Sequence, residues 1–304
     1  MSLKVISHED CLKHRPPTGH PERPERLTAA LAGISQIDGL IEIQAEAAED
    51  EQILLAHQPD YLTSVKRLGK TERTIALDPD THLGPDSLQA ARLAAGAVCQ
   101  GVIEVIAAPD TAVIALTRPP GHHAESARAM GFCLFNNVAI GAGLAACQGL
   151  SRVAICDFDV HHGNGTEEIV TSREGMLFLS SHQAPLYPGT GDPLDNRPGH
   201  IVNASLPAGS GSDEFRSLWM ENLLPALEAF APELVLVSAG FDAHWRDPLA
   251  GLKLKDEDYY WIGRELRRIS RISAGGRLVA TLEGGYDLKA LEDSVLAFGE
   301  GVGS

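Results

Sequence analysis

Arg152-Val-Ala-Ile-Cys-Asp-Phe-Asp-Val-His-His-Gly-Asn-Gly-Thr166 runs from an aliphatic, β-branched stretch straight into carboxylates, imidazoles and glycines. A short run that is apolar throughout suits a strand buried on both faces, as in a parallel sheet. The same pattern recurs at Thr111–Leu116, Met176–Leu179, Glu233–Val237 and Arg277–Leu282. Between these runs lie segments of helical period, Pro85–Ala108, Asn137–Ala146, Ser212–Phe230, Lys255–Ser273 and Asp287–Phe298. Such alternation predicts an α/β sheet covered by helices on both sides. No repeat, low-complexity tract or long linker interrupts the 304 residues, which therefore read as one domain, 1–304. The Pro- and Gly-rich stretches Arg15–Pro24 and Pro185–Gly199 read as ordered surface loops.

Composition narrows the classes of function. The 41 acidic and 25 basic side chains leave a net charge of −16, which disfavours binding along nucleic-acid phosphates. The longest apolar runs, such as Val138–Cys147, are about half the length that crosses a bilayer, so no membrane partner is expected. The start of the chain lacks a basic and apolar leader pattern, and a cytoplasmic location is the expectation. Five cysteines without C-x-x-C spacing argue for reduced thiols rather than disulfides or a thiolate metal site.

In open α/β sheets ligands bind beyond the carboxyl ends of the strands. Four polar clusters fall there: Arg118-Pro-Pro-Gly-His-His-Ala124, Asp157–Thr166, Ser238-Ala-Gly-Phe-Asp-Ala-His244 and Glu283-Gly-Gly-Tyr286. In extended chain Asp157, Asp159 and His161 share one face, about 6.5 Å apart per step. Zinc accepts carboxylate oxygen and imidazole nitrogen, and a catalytic site uses three protein ligands with one open position. Asp159 and His161 are two candidates and Asp242 a third. His122 and His123 are adjacent and suit acid/base work, since imidazole titrates near neutrality. Asp157 and Asn164 are the acceptors left to orient them. Tyr286, after two glycines, offers a phenol hydroxyl to an oxyanion, a contact worth roughly 3 kcal/mol.

Taken in order, R-P-P-G-H-H-A, G-F-C-L-F-N-N (Gly131–Asn137), D-F-D-V-H-H-G-N-G-T, S-A-G-F-D-A-H and E-G-G-Y resemble the zinc-dependent histone deacetylase family and its bacterial amidohydrolase relatives. The resemblance extends from His20-Pro-Glu-Arg-Pro-Glu-Arg26 to Tyr286. It implies an arginase/deacetylase-type fold with a mostly parallel central sheet of about eight strands. It implies catalytic Zn²⁺ on Asp159, His161 and Asp242, with His122 paired to Asp157 and His123 to Asn164. It further implies a structural monovalent cation, K⁺, held by Asp157, backbone carbonyls at Asp159 and His161, Ser180 and the carbonyl of Ser181. Gly131, Phe132 and Tyr187 would line a tunnel for the acyl-lysine methylenes.

The implied activity is hydrolysis of N-acyl amides on lysine side chains of proteins or peptides. Position 164 is Asp in one large branch of the family and Asn in another, so His123 here should be less basic than in the Asp branch. Polyamine-selective relatives carry a Glu seven residues beyond the third zinc ligand, where this chain has Leu249. An apolar rim favours an acyl-lysine substrate over a small acetylated amine, with acetylpolyamine hydrolysis as the alternative. An arginase-like binuclear Mn²⁺ hydrolase, faintly suggested by Asp242-Ala-His244, is a further alternative. Asp80, with Asp78 and His82, is a candidate rim group that meets the substrate backbone.

Overall fold

The computed structural model describes residues 2–304. In chain order the strands are β1 (Ser2–Ser7), β2 (Ile41–Gln44), β3 (Ile75–Ala76), β4 (His82–Leu83), β5 (Thr111–Ala115), β6 (Val153–Asp157), β7 (Met176–Gln183), β8 (Ile201–Leu206), β9 (Leu234–Ala239) and β10 (Leu278–Leu282). Eight of them form one sheet in the order β2-β1-β5-β10-β9-β6-β7-β8, and every pairing in it is parallel. β3 and β4 make a separate antiparallel ribbon. The five apolar runs of the sequence are the inner strands β5, β6, β7, β9 and β10, and each is buried along its whole length. β1, β2 and β8 carry no such continuous signal, and two of them are the outermost strands.

Register explains how helices cover both faces. Lys4, Val113 and Val279 are in register and share a face. That face carries helix Ser87–Ala107: Val113 and Val279 reach within contact of its Gly101, and Lys4 pairs with its Glu104. Leu3, one residue earlier, points the other way and meets Gly303 of helix Leu288–Gly303, which packs on Glu25–Ile34 and Asp256–Ser273. Helix Asn137–Cys147 begins where the Asn136 side chain accepts from Ala139 N, and Leu288–Gly303 where Asp287 accepts from Ala290 N.

Three local expectations change. Helix Ser87–Ala107 is long and apolar enough to cross a membrane, a property the run-length argument overlooked; two thirds of that segment is buried against the sheet and neighbouring helices. Ser212–Phe230 is not one α-helix, because a π-helical turn at Trp219–Leu223 separates Ser212–Leu218 from Leu224–Phe230. The segment Arg15–Pro24 is not wholly superficial: Glu22 is fully buried, held by the Arg118 and Arg26 guanidiniums.

Candidate active site

The strands that precede the four polar clusters, β5, β10, β9 and β6, are consecutive neighbours in the sheet. Their carboxyl ends therefore bring His122, Tyr286, Asp242 and Asp159 to one rim, although those residues are scattered over half the chain.

Asp159, His161 and Asp242 are buried, and one ligand atom from each lies within 4.8 Å of the others. The His161 Nδ1 atom is 3.1 Å from both Asp159 Oδ1 and Asp242 Oδ2. Backbone N–H groups hold the carboxylates from outside: Gly284 N donates to Asp159 Oδ2 at 2.8 Å and Val160 N to Asp242 Oδ1 at 2.9 Å. Gly284 must lack a side chain, since a Cβ there would lie 1.9 Å from Asp242 Oδ2. Two carboxylates and an imidazole converging in a buried space fit a dication with mixed O/N preference. The donor set suits zinc.

His122 Nδ1 lies 3.0 Å from Asp157 Oδ2. Burial opposes a charge on His122, but the carboxylates of Asp159 and Asp157 outweigh it and push its pKa up to about 10. His123 Nδ1 lies 2.9 Å from Asn164 Oδ1, while Asn164 Nδ2 donates to Glu125 Oε1 at 3.1 Å. An amide oxygen only accepts, so Nδ1 of His123 carries the hydrogen and Nε2 keeps a free lone pair. Burial, then the charges of His122 and His161, hold the His123 pKa well below its usual value. The surroundings thus push the two imidazoles in opposite directions, favouring charge on His122 and opposing it on His123.

Tyr286 is 8% exposed, and burial raises its pKa well above 10, so the phenol keeps its proton. Its ring lies 5.9 Å from that of Phe132, edge to face, with Arg26 over it at 4.7 Å. A cavity of about 250 Å³ is lined by Tyr286, Phe132, Gly131, Tyr187, Leu249 and Asp80, together with the three histidines 122, 123 and 161. Gly131 sits against the His123 ring, where a Cβ would come within 2.3 Å of it, and both Gly131 and Phe132 have positive φ (+55° and +68°). For Phe132 that conformation costs about 1–3 kcal/mol. Phe132 N donates to Thr81 Oγ1, which donates to Asp80 Oδ1, so Asp80 supports the Phe132 wall as well as facing the cavity. Tyr187 is 40% exposed and sits at the open side.

Ser180, Asp157, Ser238 and Thr281 stand in register across β7, β6, β9 and β10. Asp157 and Ser180 are both fully buried, whereas the Ser181 hydroxyl accepts from Trp219 Nε1. His244 lies apart from the three-residue cluster, with Nε2 3.5 Å from Asp256. His82 and Asp78 are outside the cavity lining; Asp78 accepts from Asp80 N and Thr81 N and shapes the turn between β3 and β4.

Sequence reasoning missed several supporting groups. Glu283, fully buried, accepts from Gly121 N at 2.6 Å, His122 N at 3.1 Å and Ser238 Oγ at 3.2 Å, tying the histidine loop to the tyrosine loop. Burial raises its pKa to about 7. Asp247 and Arg26 hold the tyrosine loop from two further sides. Glu283 was visible as a polar residue ending a strand; the bonds by which Asp247 and Arg26 hold the tyrosine loop, and Glu283 the histidine loop, join residues remote in sequence.

Residues 20–302 match the family model of the histone deacetylase domain. The chain is 38% identical to the histone deacetylase-like amidohydrolase of Pseudomonas aeruginosa, over 88% of this chain and 73% of that protein. It is 37% identical to human polyamine deacetylase HDAC10 over 97% of this chain, spanning 47% of the human protein. The solved HDA15 HD domain superposes with a TM-score of 0.90 at 33% identity, covering 98% of this chain and 87% of that one.

Proposed function

Because the chain belongs to the histone deacetylase family, we propose that it is a zinc-dependent amidohydrolase that removes acetyl or related acyl groups from lysine side chains of proteins or peptides. The observation that carries this reading is the convergence of three ligand atoms within 4.8 Å beside a divided histidine pair and a protonated tyrosine, all around one cavity. Asp159, His161 and Asp242 would hold the zinc. When bound there, zinc supplies Lewis acidity that polarises the amide carbonyl and lowers the pKa of water toward about 7. Asp157 with the carbonyls at Asp159 and His161, Ser180 and the Ser181 carbonyl would hold K⁺; the juxtaposition of Asp157 and Ser180 supports this.

The chain's own residues then divide the work. His123 accepts a proton from water at Nε2, the atom its hydrogen bond to Asn164 leaves free. His122, kept charged by Asp157, stabilises the developing negative charge, and a proton returns to the leaving amine from the pair. The Tyr286 hydroxyl donates to the carbonyl oxygen as it becomes an oxyanion. Gly131, Phe132 and Tyr187 grip the acyl-lysine methylenes and exclude water, with Leu249 and Asp80 at the mouth. We take residues 1–304 to act as one deacetylase domain in the cytoplasm, with no nucleic-acid or membrane partner. The catalytic groups belong to one sheet, which supports the single unit.

The alternative substrate is an acetylated polyamine, favoured by the similarity to the human polyamine deacetylase. Leu249 on the cavity wall offers no carboxylate to a distal ammonium. The zinc-loaded enzyme is therefore to be assayed on acetyl-lysine to long-chain acyl-lysine peptides beside N-acetylputrescine and N8-acetylspermidine. Faster turnover of a peptide is the expected result; preference for the polyamines contradicts the substrate assignment.

A further inference from the structure

Tyr286 follows two glycines, the second at φ +121°, so its side chain is placed by whatever fixes its own backbone. Asp247 supplies that fixation. We propose that Asp247 is a positioning residue that sets the Tyr286 hydroxyl over the reacting carbonyl and links it to the mouth of the cavity at Leu249. The inference rests on the role assigned to Tyr286 above.

Asp247 is 7% exposed. Its Oδ2 accepts from Tyr286 N at 2.6 Å and from Asp287 N at 3.4 Å, and its Oδ1 accepts from Leu249 N at 3.0 Å. One carboxylate thus joins the loop after β9 to the loop after β10. Burial raises the Asp247 pKa to about 7, and the N–H groups of Tyr286, Leu249 and Asp287 oppose that shift by favouring the carboxylate. Asp287 continues the restraint by capping helix Leu288–Gly303 at Ala290 N. On the opposite side Arg26 donates to Gly285 O at 2.6 Å and to Glu283 O, and covers the Tyr286 ring. Arg26 thereby fixes the ring face and Asp247 the backbone from which the ring projects. Leu249 is half-buried on the cavity wall, so one side chain orders both the rim and the oxyanion donor.

The test is a double-mutant cycle of Asp247→Asn and Tyr286→Phe in the zinc-loaded enzyme, with whichever acetyl-lysine peptide or acetylpolyamine the wild type hydrolyses. Asp247→Asn keeps the shape but replaces one acceptor oxygen by a donor that opposes Tyr286 N or Leu249 N. The expected loss in kcat is about 10- to 100-fold with KM changed less than about twofold. In the Tyr286→Phe background the same substitution is expected to cost less than about twofold, because the hydroxyl it positions is gone. If Asp247→Asn is unfolded at the assay temperature, Asp247→Glu, which moves the carboxylate by one methylene, replaces it in the cycle. Equal losses in the two backgrounds, or full kcat in the Asp247 variant, overturn the proposal while leaving the proposed function intact. Undiminished turnover by Tyr286→Phe, or turnover of neither substrate by the wild type, overturns that reading and this one together.

Discussion

Two buried charge clusters, one built on Glu22 and one on Asp159 and Asp242, are balanced in different ways. In the first, the Glu22 carboxylate receives the guanidiniums of Arg118 and Arg26. The remaining Arg118 N–H groups go to the carbonyls of Cys11 and His14. All three side chains are fully buried. In the second, Asp159 and Asp242 share His161, and their other hydrogen bonds come from backbone N–H groups. Among the described residues no lysine or arginine pairs with either carboxylate. A buried anion needs a partner, since desolvating an ionised carboxylate costs several kcal/mol even after relaxation. The first cluster is balanced by permanently charged guanidiniums, whereas the second has only the titratable imidazoles of His161 and, at 3.8 Å from Asp159, His122. We propose that a metal ion completes the balance of the second, so that the first cluster serves the fold and the second the chemistry.

Substitutions should separate the two. Asp242→Asn is expected to lower turnover at least about 10³-fold and to abolish stoichiometric zinc binding while the chain remains folded; a metal-replete, active variant breaks the contrast. Glu22→Gln leaves two guanidiniums buried without their anion and is expected to cost about 3–5 kcal/mol in urea unfolding. The folded fraction of Glu22→Gln should still take up zinc. Loss of both properties by either variant merges the clusters.

Acid offers a milder probe of the first cluster. Burial alone raises the Glu22 pKa, but Arg118 overcomes it and holds the group at about 2, against 4.5 for a free glutamate. The folded value is depressed, so the stabilisation is complete above 4.5 and lost as pH falls toward 2. That loss amounts to about 3 kcal/mol. Wild type should lose this increment between pH 4.5 and 2, and Glu22→Gln should not; parallel acid profiles of the two proteins count against it.

The smallest effect sharpens the second cluster. Asn164→Asp places a carboxylate on His123 and should move the acid limb of the pH–rate profile upward by about one unit, because a more basic His123 must still be deprotonated to act. Superimposable profiles remove Asn164 as the tuning group.

The sequence showed different amounts of these two regions. Asp159, His161, Asp242 and Tyr286 were legible because each closes an apolar run and sits at the end of an inner strand. Strand order was not legible: β5 and β10 are neighbours but are separated by more than 160 residues, and only the fold puts His122 beside Glu283. The Glu22–Arg118 cluster was hidden for the same reason, its partners being 96 residues apart. Its proline- and glycine-rich context also reads as surface. Asp247 escaped because its three N–H partners are backbone groups, which leave no residue type to recognise. Edge strands β2 and β8 escaped because partial exposure breaks up the apolar run that identifies an inner strand.

Zinc titration of the chelator-stripped enzyme, followed by turnover of an acetyl-lysine peptide and by metal analysis, tests the assignment of the second cluster most directly. Activity should be absent after chelation and return in proportion to zinc, saturating at one ion per chain, with Asp242→Asn binding none. Turnover that survives complete chelation, or zinc uptake by Asp242→Asn equal to that of the wild type, would contradict the metal centre at Asp159, His161 and Asp242.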